Sequence, residues 1–217
     1  MKYTKSHNAM HHEGDHSHHT FDNTELFAKR FDAPERDEWQ KPGQVIDSLD
    51  LPDDSTVAEI GAGTGYFTVR LAKHLKKGKV IVLESSPKMV EYLEDQLGKM
   101  SLTNVDILLS ETGNQICLPE KADLIMCVDS YHHVTERVSY FSSLKQQLRR
   151  SGRIVIIDRP ADSPDAPPHE HQTPPELVEK EMTQAGLELF QKFDFLLPYQ
   201  FYFSFKPIPI TKNKHKK

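Results

Sequence analysis

Cysteine is scarce in this chain, with Cys117 and Cys127 the two among 217 residues. They form neither a CxxC pair nor a disulfide framework, so free thiols in a reducing compartment are expected. Long apolar runs are missing too. No stretch approaches the roughly 20 consecutive apolar residues of a membrane span, and the opening MKYTKSHNAM has no apolar signal core. A soluble, cytoplasmic protein with no membrane partner is the expectation. Positive charge is also short, 27 Lys plus Arg against 32 Asp plus Glu for a net charge of −5. Nucleic-acid binding needs clustered cations to neutralise phosphate, and here the basic residues are spread out, so no nucleic-acid partner is expected. The one basic run, Lys212, Lys214, Lys216 and Lys217, reads as a short solvated tail.

The length suits one α/β domain with appendages. Residues 1–20 are rich in His, Gly, Asp and Ser, a composition that cannot bury a core, and read as a disordered tail. Residues 21–52 carry short amphipathic stretches, through Leu26, Phe27 and Phe31, then Trp39, a turn at Pro42, and Val45, Ile46 and Leu49. From Thr56 the pattern changes. Apolar runs at Val57 to Ile60, Val80 to Leu83, Val105 to Leu109, Leu124 to Val128 and Ile154 to Ile157 alternate with helical spacings. The helical sets are Phe67, Leu71 and Leu75; Met89, Leu93 and Leu97; and Val138, Phe141, Leu144 and Leu148. Continuous apolar strands separated by helices predict a doubly wound, mostly parallel sheet covered on both faces. After a proline-rich loop and a helix through Val178, Met182 and Ala185, the segments Leu187 to Phe195 and Tyr199 to Phe205 predict an antiparallel hairpin with a tight connection, closing the sheet edge. The domain is expected over 53–206, with 207–217 as a basic tail.

The first strand runs into Glu59-Ile60-Gly61-Ala62-Gly63-Thr64-Gly65 and then a helix. Glycines let the backbone turn sharply and approach a ligand, and the helix start offers unpaired N–H groups. The spacing is Gly-x-Gly-x-Gly, not the dinucleotide fingerprint, and no Gly-Lys-Ser/Thr grips a phosphate, which disfavours NAD and ATP. Glu84 closes the second strand, where a carboxylate can accept from both hydroxyls of a ribose. The plainer alternatives are a turn that only packs helix on strand and a solvated strand-end acid.

Taken with the strand-four continuation Asp129-Ser130-Tyr131-His132-His133-Val134, these residues resemble the class I S-adenosylmethionine-dependent methyltransferases, small-molecule type 11-like branch, over about residues 40–205. The resemblance implies a seven-stranded Rossmann-like methyltransferase fold, S-adenosylmethionine as cofactor and a small-molecule methyl acceptor. It implies Glu59, Gly61, Gly63 and Gly65 for the turn, Glu84 with the adjoining Ser85 for the ribose, and Asp129 near the methionine amino group. For adenine, counting from the third strand selects Glu111 and counting back from Leu118-Pro119 selects Asn114; strand ends favour Glu111.

A sulfonium methyl is already activated, so a base is needed only when the nucleophile arrives protonated. Imidazole suits that task. His132 and His133 after strand four, and His169 and His171 in the proline-rich loop, sit at carboxyl ends of strands, where open α/β sheets bind ligands. Each could equally cap, pack or lie on the surface. Trp39-Gln40-Lys41-Pro42 occupies the place of a lid, with Lys41 facing either a cofactor carboxylate or solvent. His11, His12, His16, His18 and His19 could hold a divalent metal, although the spacing matches no structural zinc motif. A catalytically idle cofactor- or metal-binding protein is the competing reading.

Overall fold

The computed structural model describes residues 33–110, 116–164 and 172–209. Two short helices, α1 (Arg36–Gln40) and α2 (Pro42–Ser48), precede the sheet. Pro42 is the first residue of α2, where its missing N–H costs nothing. Then follow β1 (Thr56–Ile60), α3 (Tyr66–His74), β2 (Lys79–Glu84), α4 (Pro87–Lys99), β3 (Val105–Leu109), β4 (Ala122–Val128), a 3₁₀ turn at Tyr131–His133, α5 (Arg137–Lys145), β5 (Leu148–Asp158), α6 (Pro175–Gln184), β6 (Leu187–Phe193) and β7 (Phe201–Pro207).

The strands form one sheet in the order β3-β2-β1-β4-β5-β7-β6. The first five are mutually parallel, and β7 runs antiparallel between β5 and β6. The strand order reverses between β1 and β4, and their carboxyl ends frame the crevice where such sheets take ligands. Burial explains the apolar runs. Ala58, Ile60, Ile81, Ile125, Ile154 and Ile156 point to a core shared with α5 and α6. Their neighbours Val57, Val80, Val82, Leu124, Met126 and Val155 point to a second core with α2 and α3. Ser86 opens α4 by accepting the Met89 N–H at 3.3 Å, a side-chain cap that satisfies one orphan donor.

The doubly wound sheet matches the expectation, with three local corrections. Leu148 continues the spacing of Leu144, which predicts a helical position, yet α5 stops at Lys145 and Leu148 pairs with Ala122 at the start of β5. One buried apolar residue satisfies either pattern, so periodicity does not separate them. The hairpin connection spans 194–200 and is not tight, because it carries Leu196 and Gln200 inward. Tyr199 therefore precedes the strand. Residues 201–205 of β7 are all buried, since Phe201, Phe203 and Phe205 fill one core and Tyr202 the other. One edge of the sheet is β3 and the other is β6, whose Phe190 is exposed. The expected helix through Leu26, Phe27 and Phe31 lies outside the described residues.

Candidate active site

Local backbone geometry creates the first half of the site. Gly61, Gly63 and Gly65 all adopt left-handed φ values, +67°, +55° and +88°, which side chains with a Cβ tolerate poorly. At Gly61 space is also short, since a Cβ there would lie 2.4 Å from Ser130 Oγ. The same Ser130 hydroxyl shares its one proton between the Val128 carbonyl at 2.9 Å and the Gly61 carbonyl at 3.1 Å, bringing the turn after β1 against the turn after β4. Gly65 caps α3.

Glu84, 4% exposed, stands across from this turn. Its Oε2 accepts the Gly63 N–H at 3.0 Å, and its Oε1 accepts the N–H groups of Ser85 and Ser86 at 2.8 and 3.0 Å. A carboxylate offers about four lone-pair directions, so one remains on Oε2. Glu84 is thus a brace of the glycine turn as well as an acceptor. Glu59, on β1, is buried and accepts the Thr68 hydroxyl at 2.6 Å. Removal from water pushes its carboxyl up to about 7.

The second half is built from side chains. Asp129 follows β4 with φ +49°. Its Oδ1 accepts Gln200 Nε2 at 2.7 Å and meets Arg159 Nε at 3.4 Å. Beside it, His132 Nδ1 lies 3.0 and 3.1 Å from the two oxygens of Asp158, which is fully buried at the end of β5. Asp158 also accepts the backbone N–H groups of His132 and Arg159 and the Thr173 hydroxyl, at 3.2, 2.9 and 3.1 Å. Ringed by donors, Asp158 acts as acceptor, which puts the proton on His132 Nδ1 and makes Nε2 the basic nitrogen of the neutral ring. His133 is exposed and tilts against the His132 ring at 4.1 Å between centroids.

Helix α1 covers the side of this region. Its Arg36 lies 3.8 Å from the centroid of Tyr66, and Asp37 takes a short hydrogen bond from the Tyr66 hydroxyl and an ion pair with Arg70 at 2.9 Å. Trp39 lies under the Arg159 guanidinium at 4.5 Å and 6.1 Å from Tyr199. Lys41 donates to the Phe195 carbonyl at 2.6 Å, so its ammonium holds the hairpin connection and neither expectation for it describes its contact.

Glu59, Gly61, Gly63, Gly65, Glu84, Ser85, Asp129 and His132 therefore lie along the carboxyl ends of β1, β2 and β4. Glu111, Asn114, His169, His171 and the tail histidines His11, His12, His16, His18 and His19 lie outside the described residues. Among the described residues no three His, Cys, Asp or Glu groups gather as a metal site, and no helix is long and apolar enough to cross a membrane. A concavity of about 390 Å³ lined by Val134, Thr135, Arg137 and Glu181 contains no residue of the glycine turn and is a separate feature at the start of α5. Asp158 and Gln200 are additions to the expected site; Gln40 belongs to the expected lid segment and Arg159 opens the proline-rich loop, but neither is expected to contact Asp129 or its partners. Asp158 has a signal, since it ends an apolar strand just as Glu84 does; the contact between the two glutamines has none.

Comparison with known proteins agrees with this architecture. The family described as a methyltransferase domain matches residues 57–152. A crystal structure of a SAM-dependent methyltransferase from Aquifex aeolicus superposes with a TM-score of 0.76 at 28% identity, covering 83% of this chain and 96% of that one. A probable ribosomal RNA small subunit methyltransferase A of Methanosphaera stadtmanae is 41% identical over 64 residues, 30% of this chain and 23% of that protein. The (S)-coclaurine N-methyltransferase of Thalictrum flavum is 24% identical over 106 residues, 49% and 29% respectively. The chain thus spans less than a third of the length of these two curated relatives.

Proposed function

We propose that the chain, which is similar to methyltransferases over residues 57–152 and in its overall fold, is an S-adenosylmethionine-dependent methyltransferase that transfers the methyl group of this cofactor to a small-molecule acceptor. The observation that carries the reading is the Gly63 N–H bond to Glu84 across the ends of β1 and β2. It fixes a left-handed glycine turn against a buried acid with one acceptor direction to spare, a donor and acceptor set that fits a nucleoside. Ser85 adjoins it, and Asp129 Oδ2 accepts no hydrogen bond among the described residues, which suits the cationic amino acid end. Glu111 is our choice for adenine.

When bound, the cofactor supplies an activated sulfonium methyl. The work left to the protein is to orient an acceptor, exclude water and take a proton where the acceptor carries one. His132 is the favoured base, because Asp158 holds its ring and its tautomer; His133 and His171 remain alternatives. The acceptor would lie between Asp129 to His133 and the loop after β5, beneath α1. The N-methyltransferase relative and the low density of clustered cations support a small molecule, whereas the ribosomal RNA relative makes RNA the competing acceptor. A screen with methyl-labelled cofactor against phenols, amines, thiols, quinols, tRNA and whole-cell protein tests the reading. Transfer to at least one small molecule is expected; labelling of tRNA or protein alone would refute it. A metal-binding role for the histidine tail is a separate proposal, tested by nickel and zinc titration.

A further inference from the structure

Gln40 and Gln200 are both fully buried, 160 residues apart in sequence, and their amides meet. Gln40 Nε2 donates to Gln200 Oε1 at 2.9 Å, and Gln200 Nε2 donates onward to Asp129 Oδ1 at 2.7 Å. At the other end, Arg36 Nε donates to Gln40 Oε1. The chain of donors therefore runs one way, from a guanidinium on α1 through two neutral amides to a carboxylate after β4. Its ends dictate both amide orientations, because flipping Gln40 would turn NH₂ against the Arg36 N–H, and flipping Gln200 would turn its carbonyl against the carboxylate. Bonds aligned in this sense polarise one another.

The chemistry of the last link is specific. Arg159 Nε forms an ion pair with the same Oδ1 at 3.4 Å, longer than the roughly 2.7–2.9 Å of a strong charge-assisted bond, and it leaves the second oxygen of Asp129 untouched. The Arg159 guanidinium lies over the Trp39 ring. The nearer donor is a neutral amide at 2.7 Å, which fixes Oδ1 and leaves Oδ2 aimed for a ligand cation.

We propose that Gln200 is the positioning residue of Asp129: it holds that carboxylate for the ammonium of the cofactor's amino acid end and ties occupancy of this subsite to the docking of α1. This inference rests on the cofactor reading above. It makes Arg36, Gln40 and Trp39 part of cofactor recognition although none of them reaches the glycine turn or Glu84 in any described contact. The hinge is Lys41, whose left-handed φ of +45° separates α1 from α2.

The test is a pair of calorimetric titrations of the full chain, with S-adenosylhomocysteine and with 5′-methylthioadenosine, the same nucleoside thioether without the amino acid end. In Q200L, affinity for S-adenosylhomocysteine should fall about tenfold or more, and affinity for methylthioadenosine should change less than twofold. Q40L, which leaves the Gln200 amide unanchored, should show the same selective loss in smaller degree, and it carries the test if Q200L does not fold. Emission from Trp39, the single tryptophan, should shift with S-adenosylhomocysteine in the parent and lose that response in Q200L. Equal weakening of both ligands, or of neither, in a folded variant would overturn the inference alone. A parent chain that binds neither ligand would overturn the cofactor reading and this inference with it.

Discussion

At the carboxyl ends of β1 and β2 the candidate site is made of backbone, and at those of β4 and β5 it is made of side chains. The first region depends on three left-handed glycines and on N–H groups that converge on Glu84. The second depends on Asp129, His132, Asp158 and two buried glutamines brought from distant segments. Backbone that must pass close to a ligand admits few residue types, whereas side-chain networks can be assembled from many. The first region therefore suits a constant guest, the nucleoside of the cofactor, whereas the second serves the cofactor's amino acid end at Asp129 and, around His132, a guest that differs from enzyme to enzyme.

This division can be broken from either side. The largest effect is expected at His132. Its replacement by Ala should reduce turnover about 10²–10⁴-fold on whichever acceptor the labelled screen identifies, with S-adenosylhomocysteine affinity within twofold of the parent. A comparable loss of affinity would show that the histidine shapes the cofactor pocket and does not act on the acceptor. Asp158→Asn should follow the same pattern more weakly, since the imidazole survives but loses its charged partner.

Gly63→Val tests the other side. A branched residue forced to φ +55° carries a strain of about 1–3 kcal/mol and fills the approach to the ligand. Binding of S-adenosylhomocysteine should weaken by more than about tenfold while circular dichroism shows a folded chain. Unaltered affinity would mean that the turn only packs helix on strand.

Glu59 separates stability from binding. Its carboxyl is raised to about 7 from an ordinary 4.5, so between those values the folded chain keeps a proton that the unfolded chain releases. The contribution is complete below about pH 4.5 and is lost as pH rises through about 7. Glu59→Gln removes this dependence. Relative to the parent, its stability in urea should rise by about 2–3 kcal/mol between pH 5 and pH 8; parallel profiles would contradict the burial argument.

The smallest effect is expected from deleting residues 1–19, which are poor in apolar residues. Melting temperature and S-adenosylhomocysteine affinity should stay essentially unchanged, and nickel or zinc affinity should drop sharply. A large fall in melting temperature would show that the tail docks on the domain.

The same contrast governs what could be read from the amino-acid order. Strands β1 to β5 and the glycine turn rest on local patterns, and Glu84 closes its strand within 21 residues of Gly63. Leu148 shows the limit of periodicity, because a strand buries it as well as a helix would. His132 was visible as a residue type but its partner Asp158 was not, as 26 positions and a whole helix intervene. The Gln40 and Gln200 pair has no local signature at all, since an uncharged amide in a loop is ordinary until the fold closes around it.

The most direct test of the cofactor site is titration of S-adenosylhomocysteine into the parent and into Glu84→Ala, with folding checked in both. Micromolar-scale affinity, on the order of −8 kcal/mol, is expected for the parent. Binding at least about 100-fold weaker is expected for the variant, which loses an acceptor for the ligand and the brace for three backbone donors. Equal affinity in the two folded proteins, or no binding by the parent, would contradict it.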